Sequence, residues 1–212
     1  MTKILNSSLA GAGKTKLVTN IIDHFSDRLH DEALAYFYCN RNEESRRDPG
    51  NVLRSFVKQL SISRDERAIQ DALVEIYKKK QRTGFASAQL TYEEAESLLP
   101  NLMQAYSRTT LILDALDECH EGSRIALIDT FGRLIKVSPW LRILISSRRD
   151  HDIKLQLEKE ANVGIEATDN HDDISTFVLA RIDEDHQRRR ISLSDKLREQ
   201  IVQTLLDKSQ GM

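Results

Sequence analysis

Residues 8–15 read SLAGAGKT, and the fold is deduced outward from what such a loop needs on either side. Glycines at 11 and 13 allow a tight path with backbone N–H groups turned inward, because glycine tolerates φ > 0 and has no Cβ to obstruct an anion. Lys14 would then extend its ammonium toward β- and γ-phosphates, and Thr15 would offer its hydroxyl to Mg²⁺. From Lys14 onward Leu17, Val18, Ile21, Ile22 and Phe25 recur at helical spacing, so a helix begins at the loop and turns its N-terminal dipole toward the phosphates. Residues 3–7 (KILNS) are the end of a short strand before it. The pattern G-x-x-x-x-G-K-[ST] is met except at its first glycine, where Ser8 stands. A positive φ there would cost a serine roughly 1–2 kcal/mol; a strand-like geometry would cost nothing. The expected nucleotide contacts are Ser8, Gly11, Ala12, Gly13, Lys14 and Thr15.

A hundred residues on, TTLILDALDEC (109–119) is an apolar run that ends in Asp114. A strand so buried delivers its last carboxylate to the carboxyl edge of a parallel sheet, where open α/β domains bind ligands. Asp114 is thus expected, with Thr15, to hold Mg²⁺ directly or through water. Either Asp117 or Glu118, within the next turn, could orient or deprotonate an attacking water. A third run, ILISSRRD (143–150), ends in two serines and Arg148, a cation expected to sense a γ-phosphate.

Other apolar runs alternate with amphipathic stretches. Residues 33–39 (ALAYFYC) and 141–146 (LRILIS) read as buried strands and 162–166 as a weaker one. Val52, Leu53, Phe56, Val57 and Leu60 give a helix. Ser63 with Glu66, and Thr91 with Glu94, are capping-box patterns that open two more. Pro100 predicts a kink or break in the second. A helix over 123–136 is expected to bury Ile125, Ile128, Phe131 and Ile135, and the chain from about Asn170 to Ser209 is helical. Strands separated by helices mean parallel pairing in a three-layer α/β domain.

Composition narrows the class. The chain has 212 residues, 40% hydrophobic and 30% charged, with a net charge of -2. That suits a folded globular domain and argues against nucleic-acid binding, which favours a basic excess. Lys78–Lys80 and Arg188–Arg190 read as solvated helix faces. There is no signal-peptide h-region and no apolar stretch of membrane length, so the expected setting is cytoplasmic. Cys39 and Cys119 are too few and too distant in sequence for a disulfide framework and read as packing thiols in a reducing compartment. The six histidines show no metal-ligand spacing with them. Trp140 is expected to pack at the entry to the next strand.

In order, AGAGKT (10–15), LAYFYC (34–39), LRSFVKQL (53–60), LILDALDEC (111–119), LRILISSR (141–148), DNHDDISTFV (169–178) and DKSQGM (207–212) resemble the NACHT-type domain of the STAND class of P-loop NTPases, closest to its fungal, nephrocystin-like members. The resemblance covers essentially the whole chain, and LDALDEC is its most specific element. It implies a five-stranded, mostly parallel sheet ordered 5-1-4-3-2 and an ATP/ADP-dependent switch in a signalling or defence protein, with slow or absent hydrolysis. It also implies a core over 1–168 with a helical extension over 169–212, cut short at both ends. The longer parent would carry an N-terminal effector and C-terminal repeats and would self-associate; for this chain itself, neither a membrane nor a nucleic-acid partner is expected. Two other readings stay open: a decayed phosphate loop kept as an interaction scaffold, and a small-molecule kinase.

Overall fold

The computed structural model describes residues 2–7, 13–26, 31–62, 69–84, 89–165, 171–189 and 193–209. Five strands form one sheet: β1 Thr2–Ser7, β2 Glu32–Tyr38, β3 Arg108–Asp114, β4 Leu141–Arg148 and β5 Ala161–Gly164. They lie in the order β2-β3-β4-β1-β5, and all four pairings are parallel. Parallel neighbours require crossovers, and the helices supply them. These are α1 Lys14–Ser26, α2 Glu44–Arg47, α3 Pro49–Leu60, α4 Asp71–Arg82, α5 Tyr92–Met103, α6 Glu121–Val137, α7 His151–Leu157, α8 His171–Arg189 and α9 Asp195–Ser209.

The strand alternation divides the core. On one face Ile112 packs with Val18 and Ile22 of α1. On the other, Leu111, Leu113, Ile143 and Ile145 meet the apolar stripes of α3, α5 and α6 together with Ile153 and Leu157 of α7. The Phe56 and Phe131 rings, 6.3 Å apart, join α3 to α6. β3 is buried from Thr109 to Asp114, as a strand covered on both faces must be.

Thr91 accepts from the Glu94 N–H while Glu94 reaches back to the Thr91 N–H, so the second capping box is present. Several expectations are corrected. α5 runs through Pro100 without a break and stops three residues later; the proline forgoes the one bond back to the Glu96 carbonyl. α4 starts at Asp71 rather than at Ser63, and Ile69 instead bridges Ile62; residues 63–68 lie outside the described residues. β2 buries only its alanines, and Tyr36 stays 40% exposed, because β2 is an edge strand. Gln59 of α3 accepts from the Tyr36 N–H and donates to its carbonyl, satisfying an edge that would otherwise pair with another strand. β5, the other edge, is exposed throughout. α6 buries Ile128 and Phe131 as expected, with Leu127, Leu134 and Arg124 added, while Ile125 and Ile135 are only half-buried. Trp140 is 62% exposed rather than packed in at the strand entry. α7 was not foreseen; Ile153 and Leu157, four apart and both buried, were its signal.

Candidate functional site

The carboxyl ends of β3 and β4 and the N-terminus of α1 converge on a cleft of ≈ 260 Å³, lined by Lys14, Thr15, Asp114, Asp117, Glu118 and Arg148 among others. Gly13 has φ 74, the left-handed region that a side chain would strain. Its carbonyl accepts from the Leu17 N–H at 2.9 Å and so opens α1. No acidic residue stands in the first turn of α1 itself; the negative charge at that end comes from other elements of the cleft. Ser8, Gly11 and Ala12 lie outside the described residues.

The Thr15 hydroxyl donates to Asp114 Oδ2 at 2.7 Å across 99 positions of sequence. Asp114 is 2% exposed, and its other oxygen accepts from Ser146 Oγ. Ser146 Oγ in turn accepts from the Ala115 N–H at 2.9 Å. Ala115 itself has φ 57 and ψ 52, a left-handed alanine that costs about 1–2 kcal/mol and turns the chain sharply after the strand. Burial pushes the Lys14 ammonium below its ordinary value; Asp117 opposes that shift, Arg148 adds to it and Asp114 opposes it.

That turn brings Asp117 and Glu118 to the cleft in a single 3-10 turn, Leu116–Glu118. The Asp117 side chain is only 4% exposed. Its Oδ1 accepts from the Arg148 N–H at 2.9 Å, and its Oδ2 lies 3.4 Å from Arg148 Nε and 3.6 Å from Arg41 Nη2. Arg41 also holds Glu118, whose side chain is 22% exposed, through its backbone N–H at 3.1 Å and its Nε at 3.8 Å. Sequence reading missed Arg41, although its position just beyond β2, at the same sheet edge as the other site residues, was the available signal. It also missed Arg124, whose side chain is 4% exposed. Arg124 bonds both oxygens of Asp152, lies 3.1 Å from Asp150 Oδ2, and reaches the Asp117 carbonyl at 3.3 Å. The hydrogen bond to Asp152 is the first cause that raises the Arg124 pKa.

Beside this turn Cys39 and Cys119 approach to 3.0 Å between sulfurs; eighty positions of sequence had hidden the contact. The bond to Cys119 and then burial hold the Cys39 thiol above its usual range.

The described segments that form this cleft fall within residues 4–148, which match the family model of the nephrocystin-3 N-terminal region. The chain belongs to the nephrocystin-3 N-terminal family. This nephrocystin/NACHT-like P-loop domain is a nucleotide-binding, NTPase-like module. It is 30% identical over 190 residues to the vegetative incompatibility protein HET-E-1 of Podospora anserina, covering 82% of this chain and 13% of that protein. The domain thus spans about an eighth of its relative's length. Solved structures share the fold at low identity. The Cdc6p structure of Pyrobaculum aerophilum has a TM-score of 0.53 and 13% identity over 85% of this chain and 43% of its own. A Walker-type ATPase of Pyrococcus abyssi has a TM-score of 0.52 and 11% identity over 95% and 57%. Among the described residues no helix is long and apolar enough to cross a membrane.

Proposed function

We propose that this domain binds ATP and ADP, with Mg²⁺, as the nucleotide switch of a longer signalling or defence protein, and that any hydrolysis is slow. One observation carries the reading: Thr15, in the first turn of the helix that follows the glycine-bearing loop, and Asp114, at the end of β3, meet at 2.7 Å beside Lys14. Their oxygens, one hydroxyl and one carboxylate, are the hard donors that Mg²⁺ takes, so the residues present fit the ion. Bound there, Mg²⁺ would neutralise charge on the β- and γ-phosphates.

The chain's own groups would do the rest. Gly13, with Ser8, Gly11 and Ala12 in the same loop, would present backbone N–H groups to the phosphates, and Lys14 would supply an ammonium. Arg148 would sense the γ-phosphate, and Asp117, bonded to it by side chain and backbone, would position it. Glu118 is the more exposed of the two acids and is our assignment for the carboxylate that orients water. Arg41 would hold both acids in place.

The domain boundary is proposed at 168/169, where the sheet core gives way to α8 and α9. Self-association and further effector and repeat segments are proposed for the parent protein. A nucleic-acid partner is not part of the reading, because the net charge is -2 and Lys80 is spent on Glu94 at 2.8 Å. A kinase lid gains no support from Arg181, which pairs with Glu184 on its own helix.

Calorimetric titration with ATP and ADP, with and without Mg²⁺, tests the reading. Binding should be Mg²⁺-dependent and lost in Lys14→Ala. Equal affinity in parent and variant would overturn it.

A further inference from the structure

Cys39 closes β2 and Cys119 closes the acidic turn, and each is tied down by its backbone. The Cys39 N–H donates to the Asp114 carbonyl at 3.0 Å, and the Cys119 N–H to the Leu116 carbonyl at 3.1 Å. Their sulfurs lie 3.0 Å apart, with the residues 6% and 4% exposed. A disulfide needs about 2.05 Å, so an approach of roughly 1 Å separates the two thiols from the bonded state. Neither thiol has a part in the nucleotide reading. A pair so near, one sulfur just past the end of β2 and the other closing the acidic turn, is more than packing requires, since one sulfur and one methyl would fill the same space.

We propose that Cys39 and Cys119 are a redox pair that forms an intramolecular disulfide, with a hydroperoxide as oxidant. Once a local opening wets the pair and relieves the burial that disfavours the thiolate, one sulfur gives up its proton, attacks the peroxide oxygen and becomes a sulfenic acid, while the peroxide's other oxygen takes up the proton and leaves as water. The second sulfur then displaces the hydroxyl as a second water and forms the S–S bond. Two S–H bonds and one O–O bond are lost; two electrons and two hydrogens pass from sulfur to the peroxide. Access comes through the segment that follows Cys39, because Arg41–Arg46 are exposed and a local opening there uncovers Cys39 first.

The bond reaches the site mechanically. Arg41, two residues past Cys39, grips Asp117 and Glu118, and Cys119 follows Glu118 directly. Oxidation therefore joins the two sides of that clamp covalently, and the order of the acidic turn becomes redox-dependent. The proposal stands independently of which ligand the cleft takes.

The test is intact-mass measurement of the folded chain after hydrogen peroxide. The expected result is a loss of about 2 Da, reversed by dithiothreitol and traced to cross-linked tryptic peptides 29–41 and 109–124. Hydrogen exchange over residues 40–43 and 116–120 should slow in the oxidised protein. Cys119→Ser should abolish the mass loss. Should that variant unfold, native parent protein treated with phenylarsine oxide gives a second readout, with one arsenical per chain blocking both thiols. Sulfinic acid on separate thiols, cross-links only between chains, or no change would overturn the pair. Unaltered exchange over 116–120 would overturn its link to the acidic turn.

Discussion

Asp114 is almost wholly buried, and each of its carboxylate oxygens accepts from a hydroxyl. Ser146 does double work, since the same oxygen that donates to Asp114 accepts from Ala115 at the left-handed turn. Ser146→Ala would leave a half-buried N–H and a buried carboxylate oxygen each short of a partner, so urea denaturation should show a loss of about 1–3 kcal/mol. A stability within a few tenths of the parent would mean that the Ala115 turn does not rely on this hydroxyl. The two acids should separate by role. Glu118→Gln should leave nucleotide binding near the parent's and slow any turnover at least tenfold, as a group acting only in the chemical step does. Asp117→Asn should weaken binding and lower the melting temperature together, because Arg148 and Arg41 both lean on that carboxylate. The opposite assignment would make Asp117 the water-orienting group.

Among elements, α6 and α7 are joined to the acidic turn by one guanidinium. Arg124 leaves α6 to take Asp152 and Asp150 at the start of α7, and it touches the Asp117 carbonyl. Arg124→Met should cost about 1–3 kcal/mol at neutral pH, less than for a fully buried pair because Asp150 and Asp152 remain 39% and 31% exposed. The bond to Arg124 holds the Asp152 carboxyl below its ordinary value. A depressed carboxyl contributes stability above its unfolded value near 3.9 and loses it as pH falls through the folded value. The gap between parent and Arg124→Met should therefore narrow from about pH 4 downward. Denaturant midpoints at neutral pH and near pH 3 measure it, and a constant gap would show that Arg124 acts through packing alone.

At the scale of the whole molecule, the cleft draws on segments spread from Gly13 to Arg148. A ligand that bridges them stabilises the fold as a unit. At a free concentration of 100 times its Kd, Mg·ATP should add about 2.7 kcal/mol, which for a chain of this size raises Tm by roughly 5–10 °C. Lys14→Ala should melt near the unliganded parent and show no such shift. A full shift in that variant would place the binding energy elsewhere.

The chain by itself determined whatever depends on neighbours a few residues away. Apolar spacing marked α1, α3 and β3, and Thr91 and Glu94 announced their own cap, because dihedral preference and side-chain period act within one or two turns. The left-handed Gly13 before Lys14 and the aspartate ending a buried strand were legible for the same reason. Tertiary structure alone decided which distant groups touch. Cys39 meets Cys119, Arg41 takes both acids and Arg124 reaches the Asp117 carbonyl, because the sheet and its connections bring these segments together in an order that no local period encodes. It also decided what else α6 buries. Ile128 and Phe131 face inward as their spacing implied, but Arg124 is buried beside them where Asp150 and Asp152 meet its charge, since a cation enters the interior only where its charge is met.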